Sequence, residues 1–336
     1  MELNEGVQEG TRMKLQILVP QYNETAEVIK PLLDSIALQQ GVDVKNEVGV
    51  IIVNDGSDVH LSAGFLNSYP FNIEYHLHEH KGVSATRNAC LDYATADYVM
   101  FADSDDLFFN ACGLWIIFRE MKKDFDSLVS VFCEEWKDRE TGEILYINHE
   151  HDNVFVHGKV HKRQYLIDKN IRWNEDLTIH EDSYFNTLCQ VLSDNVLYVS
   201  APFYLWKWRD GSICRHDPKY ILKTYIKLLD SNDTLVQELL DRGLKDKAEM
   251  MCVMMIFDSY YAMNKPQWIN QENVEYRQAV ENRFQEYFAK NKHLWESIDP
   301  NLKMQISTKI RNRQVIEGMQ MEKITIEQWL EGRQQA

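Results

Sequence analysis

The sequence has few of the features that mark membrane proteins, disulfide-rich proteins or secreted proteins. No apolar run approaches the ~20 residues that a membrane-spanning helix needs, and the longest, such as residues 114–118, suits a buried helix. The six cysteines show no CxxC pair and no zinc-site spacing, which predicts reduced thiols in a cytoplasmic protein. The amino-terminal segment MELNEGVQEG lacks the basic and apolar regions of a signal peptide, so none is expected.

Basic residues are also scarce, with 36 Lys and Arg against 52 Asp and Glu and a net charge of −16. The deficit is concentrated in residues 1–110, which carry six basic and 17 acidic side chains. This balance argues against a general nucleic-acid binder, although residues 157–163 and 303–313 are locally basic. The hydrophobic fraction of 44% over 336 residues provides a sizeable core in one large domain or two.

The most informative stretch is an acidic cluster, Asp103, Asp105 and Asp106, directly after the apolar run at residues 98–101. Such a run predicts a buried strand, and open α/β sheets bind ligands at the carboxyl ends of their strands. Carboxylates this close stay ionised when a cation is present, and Mg²⁺ or Mn²⁺ prefers oxygen ligands. The alternative is an acidic turn that caps the next helix.

Strands and helices alternate over the first hundred residues, which predicts a parallel doubly wound sheet. Pro20 is expected to end the first strand, and the first helix is expected to start or bend near Pro31. The polar loops at 20–24, 54–58 and 103–106 each follow a strand, so they gather at one edge and predict a ligand site there. The later predicted elements are helices at 111–123 and 181–192, a hairpin at 127–148, extended segments at 195–200 and 202–206, and helices from 219 onward.

Five motifs occur in a defined order: Pro20-Gln21-Tyr22-Asn23-Glu24, Val53-Asn54-Asp55-Gly56-Ser57-Asp58, Lys81-Gly82-Val83-Ser84-Ala85-Thr86-Arg87-Asn88, Asp103-Ser104-Asp105-Asp106 and Glu181-Asp182. Together they resemble family 2 glycosyltransferases of the GT-A fold. The resemblance implies an α/β domain over residues 13–216, a GT-A (Rossmann-like nucleotide-binding) mixed sheet flanked by helices. Its donor half is 13–110 and its acceptor half is 111–216. Residues 1–12 are expected to be a flexible terminus, and 217–336 an α-helical region without a recognisable counterpart.

The resemblance also implies a nucleotide-diphosphate sugar donor, with a UDP-sugar favoured, and a Mn²⁺ or Mg²⁺ ion. The implied donor-binding residues are Pro20, Tyr22, Asn23, Glu24, Asp55, Arg87, Asp103, Ser104 and Arg209. Asp105 and Asp103 would hold the metal, and His216 is a possible third ligand by position. Asp182 corresponds to the catalytic base, which implies inversion at the anomeric carbon.

Each assignment has a structural alternative. Asp55 is also the residue type that caps an Asp-Gly turn, and Arg87 suits a helix-surface ion pair equally well. Lys159 suits a solvated surface as well as the edge of the site. Asp182 would also be favourable in the first turn of a helix. The tryptophans at 206–208 are suited to core packing or to stacking on a sugar ring.

The predicted function is the transfer of one sugar per encounter to an acceptor hydroxyl, favoured to be that of a glycan. No Gln-x-x-Arg-Trp segment typical of processive relatives occurs. Alternative acceptors are a modified nucleobase or a protein. A non-catalytic nucleotide-sugar or glycan-binding module is a further alternative, but such a module would have lost acidic residues that this chain keeps. A nucleotidyltransferase would show a Gly-rich, basic signature after the first strand. The Met-rich segment 250–256 predicts core packing or a homo-oligomer interface.

Overall fold

The computed structural model describes residues 13–332 except 139, 211, 213, 214, 216, 218 and 323. Its contacts divide the chain into two compact units, Met1–Asp210 and Gly211–Ala336. The first unit contains all the sheet strands of the described residues and the five sequence motifs. The second unit is helical in its described part.

Within the described residues, one mixed sheet of nine strands forms the centre of the first unit. The strands are β1 Leu15–Gln21, β2 Val48–Asp55, β3 Asn72–His78, β4 Tyr98–Phe101, β5 Leu107–Phe108, β6 Ser127–Lys137, β7 Ile144–His149, β8 Lys159–Lys162 and β9 Val196–Trp206. The helices are α1 Ala26–Ala37, α2 Val44–Glu47, α3 Ala63–Leu66, α4 Val83–Tyr93, α5 Gly113–Glu120, α6 Arg163–Asp168 and α7 Glu181–Leu192. The order across the sheet is β3-β2-β1-β4-β8-β6-β9-β5, and β7 pairs with β6.

The sheet is parallel only in part. Strands β3, β2, β1 and β4 are parallel, as the alternation of elements predicts. Beyond β4 the sheet turns antiparallel at β8, and β6 pairs antiparallel with β8 but parallel with β9. The mixed sheet therefore agrees with the family resemblance, and the parallel arrangement predicted for the first hundred residues is confirmed in β1 to β4. Strands β1 and β2 are buried along nearly their whole length because helices and loops cover both faces.

The expectation that Pro20 ends the first strand is wrong, because β1 continues through Pro20 to Gln21. The Leu18 carbonyl accepts a hydrogen bond from Ala102 N–H at 3.0 Å, so this side of β1 faces β4. Pro20 lies two residues further along and faces the same side, where β4 has already ended at Phe101. The missing N–H of Pro20 therefore removes no hydrogen bond from the sheet.

Two further prolines lie inside elements. Helix α1 begins at Ala26 and continues past Pro31 to Ala37, so it does not start at the proline. The two extended segments expected at 195–206 form a single strand, β9. Its pairing with β6 is irregular between Ser130 and Phe132, so Pro202 falls between the two paired stretches of the strand.

The second unit consists of α8 Tyr220–Asp241, α9 Lys245–Ala262, α10 Pro266–Ile269, α11 Val274–Ser297, α12 Pro300–Ile316 and α13 Ile326–Leu330. Helix α9 carries the Met-rich segment and packs against α8, α11 and α12. Cys252, Val253 and Ile256 on α9 are fully buried, so this segment belongs to the core of the helical unit. Among the described residues, no helix combines the length and apolarity that crossing a membrane requires.

Candidate active site

The loops after β1 and β2 are hydrogen-bonded to each other through the buried side-chain amides of Gln21 and Asn54. The Gln21 side chain donates to the Glu24 carbonyl at 2.7 Å, and its Oε1 accepts from Asn54 at 3.2 Å and from the Tyr75 hydroxyl at 3.0 Å. The Tyr22 N–H donates to Glu24 Oε2 at 2.6 Å. Sequence reasoning assigned no role to Gln21, although a polar residue directly after an apolar strand is the signal that would have found it.

Asp55 ends β2 and holds the start of helix α4. Its two oxygens accept from the backbone N–H groups of Lys81 at 2.8 Å and Gly82 at 3.0 Å, and Oδ2 lies 2.9 Å from His80 Nδ1. Gly82 has a φ of +93°, which favours glycine at this turn. Asp55 therefore holds the start of α4 and does not cap the Asp55-Gly56 turn, where Ser57 N–H donates to Asn54 Oδ1 at 2.8 Å instead.

Tyr22 lies beside this turn and is half exposed. Its ring stacks on the His80 imidazole with 4.6 Å between ring centroids. Pro20 is half-buried, and Asn23 is an exposed residue with a φ of 65°. The aromatic pair forms a flat, accessible surface above the carboxyl ends of β1 and β2.

The three carboxylates of the acidic loop point to different partners. Asp106 is fully buried, accepts from the Tyr204 hydroxyl at 2.6 Å and accepts from Lys207 N–H at 2.9 Å. Burial and the nearby Asp103 and Asp105 raise the pKa of Asp106 well above its ordinary value. The next element is the two-residue strand β5, so the alternative that this acidic turn caps a helix is wrong: Asp106 anchors the loop to β9.

Asp105 faces the opposite side of the loop. Its Oδ2 lies 3.2 Å from Arg209 Nη1, which is also 3.7 Å from Glu24 Oε1. Burial, followed by the neighbouring Asp103, raises the pKa of Asp105, and Arg209 lowers it. Burial likewise raises the pKa of Glu24. Ser104 is buried between the two aspartates.

Arg87 on α4 gathers carboxylates from distant parts of the chain. Its guanidinium donates to Asp182 Oδ1 at 2.6 Å, to Glu181 Oε1 at 3.1 Å and to Asp103 Oδ1 at 3.1 Å. The guanidinium lies 4.5 Å from the Trp173 ring centroid. Burial alone would lower the pKa of Arg87, but its three carboxylates raise it above the ordinary value. With 3% exposure, Arg87 is a buried link and not the surface ion pair considered as an alternative.

Asp182 lies in the first turn of α7, whose bounds are those predicted. Burial, opposed by Arg87 and reinforced by Glu181 and Asp103, raises the pKa of Asp182 to about 7. Lys159 is the second cation that lowers it. Lys159 is buried and not a solvated surface residue, donating to the Phe155 carbonyl and lying 3.6 Å from Asp152.

A second possible ligand set lies beside the acidic loop. Asp103, Asp106 and His157 place one ligand atom each within 4.8 Å of one another. His157 carried no assignment from the sequence, because it sits in a basic stretch without a recognisable motif. His216, the expected third metal ligand, lies outside the described residues.

Comparisons with known proteins agree with this geometry. The family model described as "Glycosyl transferase family 2" matches residues 16–185. Glycosyltransferase GlyA of Streptococcus pneumoniae serotype 4 is 26% identical over 228 residues, 60% of this chain and 32% of GlyA. The putative glycosyltransferase EpsH of Bacillus subtilis is 24% identical over 260 residues, 67% of this chain and 69% of EpsH. The match thus spans about a third of the length of GlyA.

Among solved structures, S. aureus TarS 1-349 has a TM-score of 0.61 at 16% identity, and the match covers 95% of this chain and 92% of that one. Its complex with UDP has a TM-score of 0.58 at 18% identity. These structural similarities show that the chain has the GT-A fold. Because the family model spans just over half of the chain and contains the carboxylates from Glu24 to Asp182, the chain belongs to glycosyl transferase family 2.

Proposed function

We propose that this chain transfers one sugar from a nucleotide-diphosphate sugar, with UDP favoured, to an acceptor hydroxyl with inversion. The observation that carries the proposal is the buried guanidinium of Arg87. It joins Asp103 of the acidic loop, on the donor side, to Asp182 at the start of α7. A sugar transferase needs a group that binds the donor beside a base that takes the acceptor's proton, because the leaving group and the attacking hydroxyl act on the same anomeric carbon.

On the donor side, the exposed stack of Tyr22 on His80 would receive the nucleotide base. The cation Arg209 would face the negative diphosphate. The related fold of S. aureus TarS 1-349 has been solved with UDP, which supports a uridine nucleotide here.

The residues fit a divalent metal at Asp105 and Asp103. Both offer carboxylate oxygens, the ligands that Mg²⁺ and Mn²⁺ prefer. Burial and then Asp103 raise the pKa of Asp105, and the Arg209 guanidinium 3.2 Å from its Oδ2 is a cation already paired with it. Asp106 fits less well, since both its oxygens are used by Tyr204 and Lys207. When bound, the metal would neutralise charge that develops on the diphosphate leaving group.

Asp182 would be the base that takes the acceptor's proton as the new bond forms. A pKa of about 7 suits this task, because a useful fraction of Asp182 is ionised at neutral pH and can accept the acceptor's proton. The carboxyl group then holds that proton once the transfer is complete. Arg87 and Lys159 keep the carboxylate oriented and partly neutralised. A single base and a single displacement invert the anomeric centre.

Binding and hydrolysis assays with UDP-sugars and Mn²⁺ or Mg²⁺ separate the two roles, since water can replace the acceptor. Asp105→Asn should lose metal-dependent UDP binding. Asp182→Asn should keep that binding and lose hydrolysis by about 100-fold or more. Asp246→Asn, an exposed carboxylate in the helical unit, is the matched control and should change neither.

Two results would contradict the proposal. If neither UDP nor another nucleoside diphosphate stabilises the protein in the presence of metal, the donor assignment fails. If a product made from an α-linked donor is itself α-linked, Asp182 is not a base in a single displacement.

A further inference from the structure

A buried tryptophan, Trp173, lies directly against the guanidinium that links the acidic loop to α7. It belongs to residues 169–180, the segment that joins α6 to α7. Its exposure is 2%, and the Arg87 guanidinium lies over its ring, 4.5 Å from the ring centroid. A cation this close to an aromatic face is attracted by the ring quadrupole, and the attraction is stronger where water is excluded. Trp173 can therefore act on Arg87 as well as fill the core.

Helix α4, which carries Arg87, also fixes the backbone at Trp173. The side-chain amide of Asn88 donates from Nδ2 to the Trp173 carbonyl at 2.9 Å, and its Oδ1 accepts from the Trp173 N–H at 2.9 Å. One turn earlier on the same helix face, Ser84 Oγ donates to the Leu177 carbonyl at 3.3 Å. Because Arg87 and Asn88 are neighbours on one helix, these hydrogen bonds set the position of the tryptophan relative to the arginine.

Two other aromatic side chains fix the indole ring. Phe185 on α7 stacks on it, with 4.1 Å between ring centroids and 3° between the ring planes. Phe101, the last residue of β4, meets it edge to face at 5.1 Å. Both phenylalanines are buried, and such aromatic contacts favour one ring orientation. Phe101 lies just before the acidic loop and Phe185 just after Asp182, so the indole packs against both elements that Arg87 joins.

The hydrogen bonds of Arg87 leave part of its guanidinium unrestrained. Nη1 donates to Asp182 and Glu181, and Nη2 donates to Asp103. Among the described residues, the buried Nε of Arg87 and the buried Nε1 of Trp173 have no hydrogen-bond partner. Since all three carboxylates bond the outer nitrogens, the packed indole is the contact that restrains the rest of the group. Its cover also keeps water from weakening the attraction between the cation and the carboxylates.

We infer that Trp173 is a positioning residue for the sugar transfer, because its ring holds the Arg87 guanidinium where both the acidic loop and α7 can bond it. This role rests on the proposed function and adds a residue from outside the five sequence motifs. Trp173 acts through Arg87 and needs no contact with donor or acceptor. A tryptophan that only filled the core would differ in one respect: its loss would lower the rate by the same factor whether or not the guanidinium is present.

A double-mutant cycle on the hydrolysis rate separates the two roles. The substrate is whichever of UDP-glucose, UDP-galactose and UDP-N-acetylglucosamine the wild-type protein hydrolyses fastest with Mn²⁺. Trp173→Leu should lower kcat about tenfold, as expected for the loss of one desolvated cation–π contact, and should leave the Kd for UDP within about twofold. In the Arg87→Lys background, the same substitution should lower kcat by less than about twofold, because the guanidinium that it positions is already gone.

Three further variants complete the test. Trp173→Phe keeps an aromatic face for Arg87 and should retain at least about a third of the wild-type kcat. Asn88→Ala keeps the indole but removes both hydrogen bonds to its backbone, so it should also lower kcat, and less so beside Arg87→Lys. It replaces Trp173→Leu in the cycle if circular dichroism shows that variant to be unfolded. Trp115→Leu is the matched control, since Trp115 covers Arg119 at 5.1 Å on the exposed side of α5, and it should behave as wild type in both backgrounds.

Three results would overturn the positioning role: rate losses from Trp173→Leu and Arg87→Lys that multiply, a Trp173→Phe variant as impaired as Trp173→Leu, or an unchanged rate in folded Trp173→Leu. Any of these in a protein whose wild type is active refutes the positioning role alone. If the wild type binds neither UDP nor another nucleoside diphosphate and hydrolyses no donor, the proposed function fails, and the role of Trp173 in it fails as well.

Discussion

Replacing Asp182 with Asn should remove catalysis and at the same time stabilise the protein at alkaline pH. Burial raises the pKa of Asp182 from 3.8 to about 7 even though Arg87 opposes that rise. The ionised carboxylate, 20% exposed in its side chain, is therefore less stable in the folded protein than in the unfolded chain. An amide has nearly the same shape as a carboxyl group and stays neutral at every pH. Asp182→Asn therefore keeps this side chain in the neutral state that the folded protein favours.

The size and sign of the effect follow from proton linkage. The folded protein binds a proton at Asp182 more tightly than the unfolded chain does, so the free energy of unfolding falls as pH rises from about 4 to about 7. With a pKa of 3.8 unfolded and about 7 folded, the penalty is about 2 kcal/mol at pH 5 and about 4 kcal/mol at pH 8. The stability difference between variant and wild type should therefore grow by about 2 kcal/mol between these two pH values.

Urea denaturation at pH 5 and pH 8, followed by tryptophan fluorescence, measures this difference. Titrating groups that do not contact Arg87, such as Asp105 and Asp106, are present in both proteins and largely cancel when the two are compared, whereas Asp103 and Glu181 share Arg87 with Asp182 and respond to its removal. The matched control is Asp246→Asn, whose stability should follow that of wild type at both pH values. If the advantage of Asp182→Asn is the same at pH 5 and pH 8, or is larger at pH 5, the assigned environment of Asp182 is wrong.

Three further predictions concern the same site. Donor hydrolysis should fall on the acidic side with an apparent pKa near 7, because only ionised Asp182 accepts a proton; a profile flat from pH 5 to 8 would contradict this. Arg87→Lys should reduce hydrolysis by at least about tenfold, since an ammonium cannot reach three carboxylates at once; an unchanged rate, with the exposed Lys122→Arg as control, would refute the linking role. Tyr204→Phe should lower the free energy of unfolding by about 1–3 kcal/mol because buried Asp106 loses its hydroxyl donor, measured by urea denaturation against the exposed Tyr198→Phe. An unchanged stability would contradict that account of the acidic loop.

Local sequence patterns predict the elements that depend on local causes. Apolar runs mark β1, β2 and β4, and the helical period marks α7 with its observed bounds. Pairing partners are not local, so the sequence predicts Pro20 as a strand terminator, whereas β4 ends before Pro20 and β1 continues through it. The same applies to Pro202, which is tolerated only because the β6 to β9 pairing is irregular there. Strand β5 is two residues long and gives no periodic signal at all.

The candidate site likewise combines features that local sequence predicts with features that depend on tertiary packing. Motif spacing predicts that the loops carrying Asp55 and Asp103 meet at one edge of the sheet, and both lie there. It does not predict that Arg87 would be buried and bonded to residues from the loop after β4 and from α7. That arrangement depends on how helices pack over the sheet, which no local pattern encodes. The donor, metal and base roles themselves stay predictions.

The buried guanidinium of Arg87 also determines how mutations in this site combine. Asp103, Glu181 and Asp182 share one cation, so removing any one of them changes the charge balance felt by the other two. Single substitutions at these positions will therefore not be independent, and their free-energy changes will not sum to that of the double variants. An alanine scan would assign overlapping shares of one interaction to each residue. A double-mutant cycle between Asp103 and Asp182 would instead report a coupling energy between the acidic loop and the start of α7, which lie far apart in sequence.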